Sequence, residues 1–259
     1  MTFPLSSALA PTFEHVETTG STNADLVDRE PARHGDVVAT LRQTAGRGRL
    51  DRSWVAPTDQ TLAASVLLDP SGLVAESRGW VPLLAGAAMR ASLASLVAET
   101  GGIVGLKWPN DVQIDGRKVC GVLAQARSDG GIVVGVGVNL TVPADRLPTA
   151  TATSLVLHGA EGDALTLADR VLSSFLADLL PAFDALVAAG GDARASGLHA
   201  RAEAECSTLG RDVRVELPGG ADLHGIAVGL DGVGRLIVRP ASGDDVAVSS
   251  GDVTHLRYE

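Results

Sequence analysis

Lysine is nearly missing from this chain. It has two lysines in 259 residues, against nineteen arginines, and the two stand eleven positions apart as Lys107 and Lys118. Arginine offers a planar, permanently charged fork, whereas an ammonium is a compact point charge suited to a single phosphate or carboxylate oxygen in a narrow pocket. Cysteine is also scarce. Cys120 and Cys206 are too few and too isolated for a disulfide framework or a thiolate zinc site, and the six histidines are dispersed with none in metal-ligand spacing. No lysine or arginine occurs before Arg29, so Ala8-Leu9-Ala10 lacks the charged region of a secretory signal. The longest apolar stretch, 81–98, carries Arg90 in its middle and reads as a buried helix, not a membrane span. Positive charge is short overall. A net charge of −10 argues against a general binder of nucleic acid or of an anionic membrane surface. A cytoplasmic protein is expected. No Gly-x-x-x-x-Gly-Lys-Ser/Thr phosphate loop occurs, and Gly135-Val136-Gly137 lacks the third glycine and following helix of a dinucleotide fingerprint.

What is present is the composition of an ordinary globular protein: 45% hydrophobic residues with thirty glycines and twelve prolines. The length predicts one large domain, or one with a small appendage. Short strands are expected at 13–17 and 37–43, flanking a helix at 22–29 capped by Ser21 or Thr22. A polar, Gly-rich loop follows over 44–57, then a strand at 61–68 and a long helix at 81–99. Strand-like runs at 104–107, 118–125 and 132–139 are separated by turns at Asp115-Gly116 and Asp129-Gly130-Gly131, which imply antiparallel neighbours. A Pro-containing loop over 141–153 leads to a helix at 167–189. From Cys206 the pattern changes to short strands at 213–217, 223–230, 235–239, 246–249 and 253–256 with Gly-rich turns, the signature of a small five-stranded barrel. The expected fold class is α+β, with a catalytic-sized domain over 1–205 and a barrel over 206–259.

Chemistry concentrates in four places. In Gly46-Arg47-Gly48-Arg49, followed by Arg52 and Trp54, glycines let the backbone approach a ligand while guanidinium forks surround anionic oxygens. From Thr40 to Trp54 the charges are Arg42, Arg47, Arg49 and Arg52 against Asp51, so basic charge is local in an acidic chain. In Lys107-Trp108-Pro109-Asn110-Asp111, Pro109 stops a strand and Asn110-Asp111 turns the chain, so that Asp111 faces a pocket beside Lys118. Such a pair binds a metal, orients an amine or forms a structural ion pair. Trp108 is either core or a stacking platform. Gly20-Ser21-Thr22-Asn23 stands at a helix start, where a cap is the default meaning. Gly135-Val136-Gly137-Val138-Asn139 is an apolar strand ending in an amide.

In this order, Ser21-Thr22-Asn23, Gln43-Thr44-Ala45-Gly46-Arg47-Gly48-Arg49 with Trp54, Lys107-Trp108-Pro109-Asn110-Asp111, Lys118-Val119-Cys120-Gly121-Val122-Leu123 and Gly135-Val136-Gly137-Val138-Asn139 resemble the biotin protein ligases. The resemblance runs over about residues 14 to 257. It implies a catalytic domain like that of class II aminoacyl-tRNA synthetases with a C-terminal SH3-like barrel. It also implies a two-step reaction, in which biotin and ATP with Mg²⁺ give biotinoyl-5′-AMP and the acyl group passes to one lysine of a biotin carboxyl carrier domain. By resemblance Lys118, Arg47, Arg49 and Asp111 carry the chemistry. Ser21, Thr22, Asn23, Gln43, Gly46, Gly48, Trp54, Lys107, Trp108, Asn110, Gly121 and Asn139 complete the binding set, with Asn110 and Asn139 on the nucleotide side. Two departures stand out: Asp51 where the family commonly has glycine, and Cys120 where it commonly has alanine. Members that repress transcription carry an N-terminal helix-turn-helix, for which the position of Ser21 leaves no room, so DNA binding is not expected. A lipoate ligase would share fold and adenylation chemistry but needs a mainly apolar pocket. A non-enzymatic biotin-sensing regulator would show a DNA-binding segment or a broken lysine motif.

Overall fold

A computed structural model of the chain describes residues 3–49, 52–217, 220–249 and 251–255. The elements are α1 (Pro4–Ser7), β1 (Phe13–His15), α2 (Thr22–Val27), β2 (Val37–Thr40), β3 (Gly46–Arg47), β4 (Ser53–Trp54), β5 (Thr61–Leu68), α3 (Val81–Val97), β6 (Val104–Lys107), β7 (Asp111–Ile114), β8 (Arg117–Ala126), β9 (Ile132–Asn139), α4 (Ala164–Ala188) and α5 (Leu198–Glu205), followed by β10 (Asp212–Glu216), β11 (Asp222–Leu230), β12 (Leu236–Arg239), β13 (Val246–Val248) and β14 (Asp252–His255).

The large sheet runs β1-β2-β5-β9-β8-β7-β6; β1 and β2 are parallel and every other pair is antiparallel. All eight residues of β5 and of β9 are buried, as befits central strands covered on both faces. Alternation along β9 assigns its two sides. Val134, Val136 and Val138 join the main core beneath α3 and α4, whereas Gly135 and Gly137 turn toward α2 and Trp54. That second face holds the site.

The helix over 81–97 is long and apolar enough, together with the turn before it, to cross a membrane by length and composition alone. Here one face of it, including Val81, Leu84, Ala88, Leu93 and Val97, is buried in the main core, and Arg90 escapes the apolar face by donating to Val104 O at 3.1 Å. The helix over 164–188 starts on an Asp163 cap that accepts from Thr166 N at 2.7 Å.

The C-terminal strands form an antiparallel sheet in the order β13-β12-β11-β10-β14; Leu256, expected in the last strand, lies outside the described residues. Its apolar face does not close off a separate core. Val213, Val215, Leu236 and Val238 are continuous with the main cluster. Two indoles clasp the turn between β11 and β12: Trp80 donates to Gly232 O at 2.9 Å and Trp108 to Gly234 O at 3.1 Å. Buried indole N–H groups need acceptors, and this turn supplies both.

Several elements depart from the sequence expectations, among them the helix α1, which was not anticipated. The loop over 44–57 contains the ribbon β3–β4, with Gly46 opposite Trp54. Asp111, read as part of a turn, begins β7, which pairs on both sides, with Lys107 and with Gly121. The short α5 was not anticipated.

Candidate functional site

The pocket is a cleft on the α2 side of the sheet, lined from four directions: Ser21, Thr22 and Asn23 at the start of α2; Gln43, Arg47 to Arg49 and Arg52 to Trp54 on and beside the ribbon; Asn110 and Asp111 on the β6–β7 hairpin; and Lys118, Gly121 to Leu123 and Gly135 to Gly137 on β8 and β9, among the described residues. Leu50 and Asp51 lie outside those residues, so the Asp51 departure has no structural account.

One end of the cleft is polar and fully wired. Ser21 caps α2 by accepting from Ala24 N at 3.5 Å, which leaves its hydroxyl proton to donate elsewhere. Asn23 donates its amide N–H groups to Leu123 O at 3.3 Å and Gln125 Oε1 at 2.7 Å, so its oxygen must face the other way. That oxygen lies 2.6 Å from Ser65 Oγ, and Ser65 Oγ lies 2.8 Å from Thr22 Oγ1. Ser65 has one proton, and Asn23 Oδ1 can only accept. The Thr22 hydroxyl therefore donates to Ser65 and turns its lone pairs to the cleft. Gln43 is fixed too: its Oε1 accepts from Thr22 N at 3.0 Å, leaving Nε2 as a donor. The result is an acceptor at Thr22 flanked by donors at Ser21 and Gln43.

The other end is cationic. Lys118 Nζ sits 2.7 Å from Asp111 Oδ1, with 35% and 20% of the two side chains exposed, and 5.5 Å from the centre of the Trp54 ring. Arg47, Arg49 and Arg52 add positive charge to the lining. Arg49 donates to Asn110 Oδ1 at 3.1 Å and to Gly251 O at 3.5 Å, while Asn110 donates to Val122 O at 2.7 Å. The ribbon is thereby linked to the hairpin and to the C-terminal sheet. Between the two ends lies a slot made by paired glycines. Gly121 and Gly137 are opposite in register, and a Cβ on Gly137 would stand 2.4 Å from the Trp54 ring. Only glycine lets the indole lie against the sheet. Among the described residues no group of three or more metal-ligating side chains occurs.

Twelve of the site residues expected from sequence converge on this cleft: Ser21, Thr22, Asn23, Gln43, Arg47, Gly48, Arg49, Trp54, Asn110, Asp111, Lys118 and Gly121. Four do not line it. Trp108 is 2% exposed and is a core residue, its peptide to Pro109 cis, its N–H donated to Thr208 Oγ1 at 3.0 Å. Lys107 ends β6, which β7 separates from the strand of Lys118, and its charge lies near His255. Asn139 is 1% exposed; it donates to Thr153 O at 2.9 Å, and its buried Oδ1 has no protein partner. Gly46 acts at one remove, because a Cβ there would meet Gln43 Nε2 at 2.6 Å. Cys120 is wholly buried, and burial pushes its thiol up, so it is an inert hydrophobe and not a nucleophile. Ser65 and Gln125 were missed as site-forming residues, and of the segment Gly135 to Asn139 the sequence reading named Asn139, not Gly135 and Gly137, as the binding residue. The period-two glycines of β9 were the available signal, since a strand gives up side chains on one face only where something approaches closely.

Comparison with known proteins agrees with this geometry. Residues 13–142 match the biotin/lipoate A/B protein ligase family, and residues 208–256 match the biotin protein ligase C-terminal domain. A biotin–[acetyl-CoA-carboxylase] ligase of Mycobacterium tuberculosis is 38% identical over 93% of this chain and 88% of its own length. One from Paracoccus denitrificans is 31% identical over 88% of this chain and 94% of its own. The fold is that of the biotin protein ligase of Aquifex aeolicus solved with biotin and ATP, with a TM-score of 0.75 at 24% identity over 95% of this chain and all of that one. On sequence and fold together, the chain belongs to the biotin/lipoate A/B protein ligase family.

Proposed function

We propose that the protein joins biotin to ATP to form biotinoyl-5′-AMP and pyrophosphate, and then transfers the biotinoyl group to a lysine of a biotin carboxyl carrier domain. The observation that carries this reading is the hydrogen-bond polarity of the pocket. A ureido ring presents N–H groups beside a carbonyl; Thr22 Oγ1 accepts from an N–H, while Ser21 and Gln43 donate to the carbonyl. A dithiolane offers neither, so a lipoate would leave these buried groups unpaired, at about 1–3 kcal/mol each. That disfavours the lipoate ligase alternative.

In the first step a carboxylate oxygen attacks the α-phosphorus, the bond from phosphorus to the bridging oxygen breaks, and pyrophosphate leaves. Two anions must approach, and Arg47, Arg49 and Lys118 offset that repulsion and stabilise the developing charge. Asp111, the carboxylate among the described lining residues, would hold Mg²⁺, which commonly needs only one or two carboxylates from protein and would supply charge neutralisation for the leaving pyrophosphate. In the second step the acceptor amine attacks the acyl carbon and AMP departs. A lysine amine, with an ordinary pKa near 10.4, must lose a proton to attack, and Asp111 orients the amine and takes that proton. The Trp54 ribbon covers the mixed anhydride and keeps water off. The C-terminal sheet shares the main core, and its Gly251 carbonyl accepts from Arg49 on the ribbon. The test is direct: protein, ATP and Mg²⁺ with biotin release pyrophosphate, whereas lipoate in place of biotin gives none. Equal release with lipoate refutes the pocket reading.

A further inference from the structure

Arg127 is the most deeply buried arginine of the described chain, its side chain 4% exposed, and the reaction has no use for its charge. Its environment explains why it is there. Nη1 donates to Leu26 O at 2.5 Å and Val27 O at 2.8 Å, Nη2 donates to Arg29 O at 3.0 Å, and Nε lies 3.1 Å from Asp129 Oδ2. The first two carbonyls are the last of α2, where orphan acceptors and the negative end of the helix dipole both favour a cation.

The other end of the same helix forms the polar end of the pocket. With six residues, α2 is far too short to be stable by itself, so its position depends on what holds its two ends. Both ends are held by one strand. Asn23 is tied to Leu123 and Gln125 of β8, and the chain leaving β8 carries Arg127 to the C-terminal end. The strand also carries Lys118. From Asn23 to Val27 the helix spans about 6 Å, so release of one end swings the other about the Asn23 contacts, and Thr22 Oγ1 lies next to that pivot.

We propose that Arg127 is a positioning residue for the biotin head: by gripping the C-terminal carbonyls of α2 from β8, it fixes where Ser21 and Thr22 stand relative to Lys118. This rests on the function proposed above. It places a determinant of biotin affinity outside the pocket and at the opposite end of the helix that lines it. Arg127 touches no ligand; it acts through Thr22.

The test measures pyrophosphate release by the full chain while biotin and ATP are varied separately, below the onset of melting. Arg127→Met is expected to raise the KM for biotin about tenfold, the equivalent of one lost charge-assisted hydrogen bond, with kcat and the KM for ATP within about twofold. Arg127→Lys restores charge but cannot reach all three carbonyls, so its KM for biotin falls between the two. Arg201→Met is the structural control. Arg201 is another part-buried arginine, bonded to Asp178 at 2.6 and 2.7 Å, remote from the cleft, and its loss should lower Tm with the KM for biotin unchanged. If Arg127→Met lowers Tm and leaves the KM for biotin at the wild-type value, or moves the KM for ATP and kcat equally, Arg127 is a strut and the proposal is overturned. If Arg127→Met does not fold, Arg127→Lys decides: a raised KM supports positioning, and an unchanged one overturns it. Failure of the wild type to release pyrophosphate with biotin would sink the function itself, and is seen before any variant is compared.

Discussion

Gly135→Ala is the perturbation that tests the pocket most sharply. A Cβ at Gly135 would stand 1.9 Å from Asn23 Oδ1, 2.7 Å from Cγ and 3.0 Å from Nδ2. Ordinary contact needs the amide to withdraw by about 1.5 Å. At that displacement its bonds to Ser65 at 2.6 Å, Gln125 at 2.7 Å and Leu123 at 3.3 Å are all broken. Three neutral buried hydrogen bonds at about 1 kcal/mol each give a loss of about 3 kcal/mol, or roughly 6 °C in Tm for a chain of this size. The functional effect is larger than the thermal one. Thr22 shares the network through Ser65, and a misplacement of about 1 Å in a positioning group costs about a hundredfold. Titration of wild type and variant with biotin by calorimetry, alongside melting curves, gives both numbers. Gly232→Ala is the comparison, since a Cβ there meets open space, and it should change Tm and affinity little. If Gly135→Ala melts earlier but binds biotin as the wild type does, the Asn23–Ser65–Thr22 chain does not hold the ligand, and the hydrogen-bond argument for biotin over lipoate fails.

Lys118→Met removes the ammonium facing Asp111 and should slow pyrophosphate release on the order of 10²–10³-fold with an unchanged melting curve; Lys118→Arg should rescue little, because the guanidinium is larger and differently hydrated, and near-normal release by either variant contradicts the assignment. Asp111→Asn should slow transfer from preformed adenylate more than adenylate synthesis, whereas equal slowing of both steps assigns Asp111 to the nucleotide. Arg49→Gly cuts the ribbon from Asn110 and Gly251 and should still make adenylate but release it, so that albumin incubated with ATP and biotin becomes labelled; no more labelling than wild type means that the ribbon does not retain the intermediate. His255 on β14 is pushed down to about 4 by burial first and by the Lys107 and Arg211 charges second. A histidine depressed in this way binds fewer protons folded than unfolded, so its contribution is complete above about pH 6.5 and is lost as pH falls through about 4. Tm should decline over that window, and His255→Gln should flatten the decline; an unaltered profile in the variant would assign the pH dependence to other groups.

Some elements are decided by local pattern. The strands over 61–68, 104–107 and 132–139 fall where continuous apolar runs meet Gly, Pro and Asp punctuation, and both the expected boundaries and the observed ones agree. The pairing of Lys118 with Asp111 was also legible, because a turn before Asp111 and a strand carrying Lys118 leave the two side chains adjacent. Elsewhere local preference and final structure part company. Asn110-Asp111 favours a turn by itself, yet Asp111 is in a strand because Lys107 and Gly121 are both in place to pair with it. The helix over 198–205, Leu-His-Ala-Arg-Ala-Glu-Ala-Glu, has no apolar stripe to announce it and is held by His199 on Leu230 O and Arg201 on Asp178.

The sequence by itself determined the family, the α+β class and the cationic residues of the site, because motif chemistry and hydrophobic period are properties of neighbouring residues. Only the tertiary structure decided which of those residues share the cleft. Trp108 and Asn139 stand in the same motifs as Asn110 and Gly137, yet neither reaches the cleft: Trp108 lies between β6 and β7 with its indole donated to Gly234 O, and Asn139 ends β9 beyond the glycine slot with its amide donated to Thr153 O, partners far off in sequence or outside the motif. The direction of each hydrogen bond around Thr22 was likewise settled only in three dimensions. It depends on Ser65, forty-three positions away, having one proton to give and an Asn23 oxygen that cannot return it.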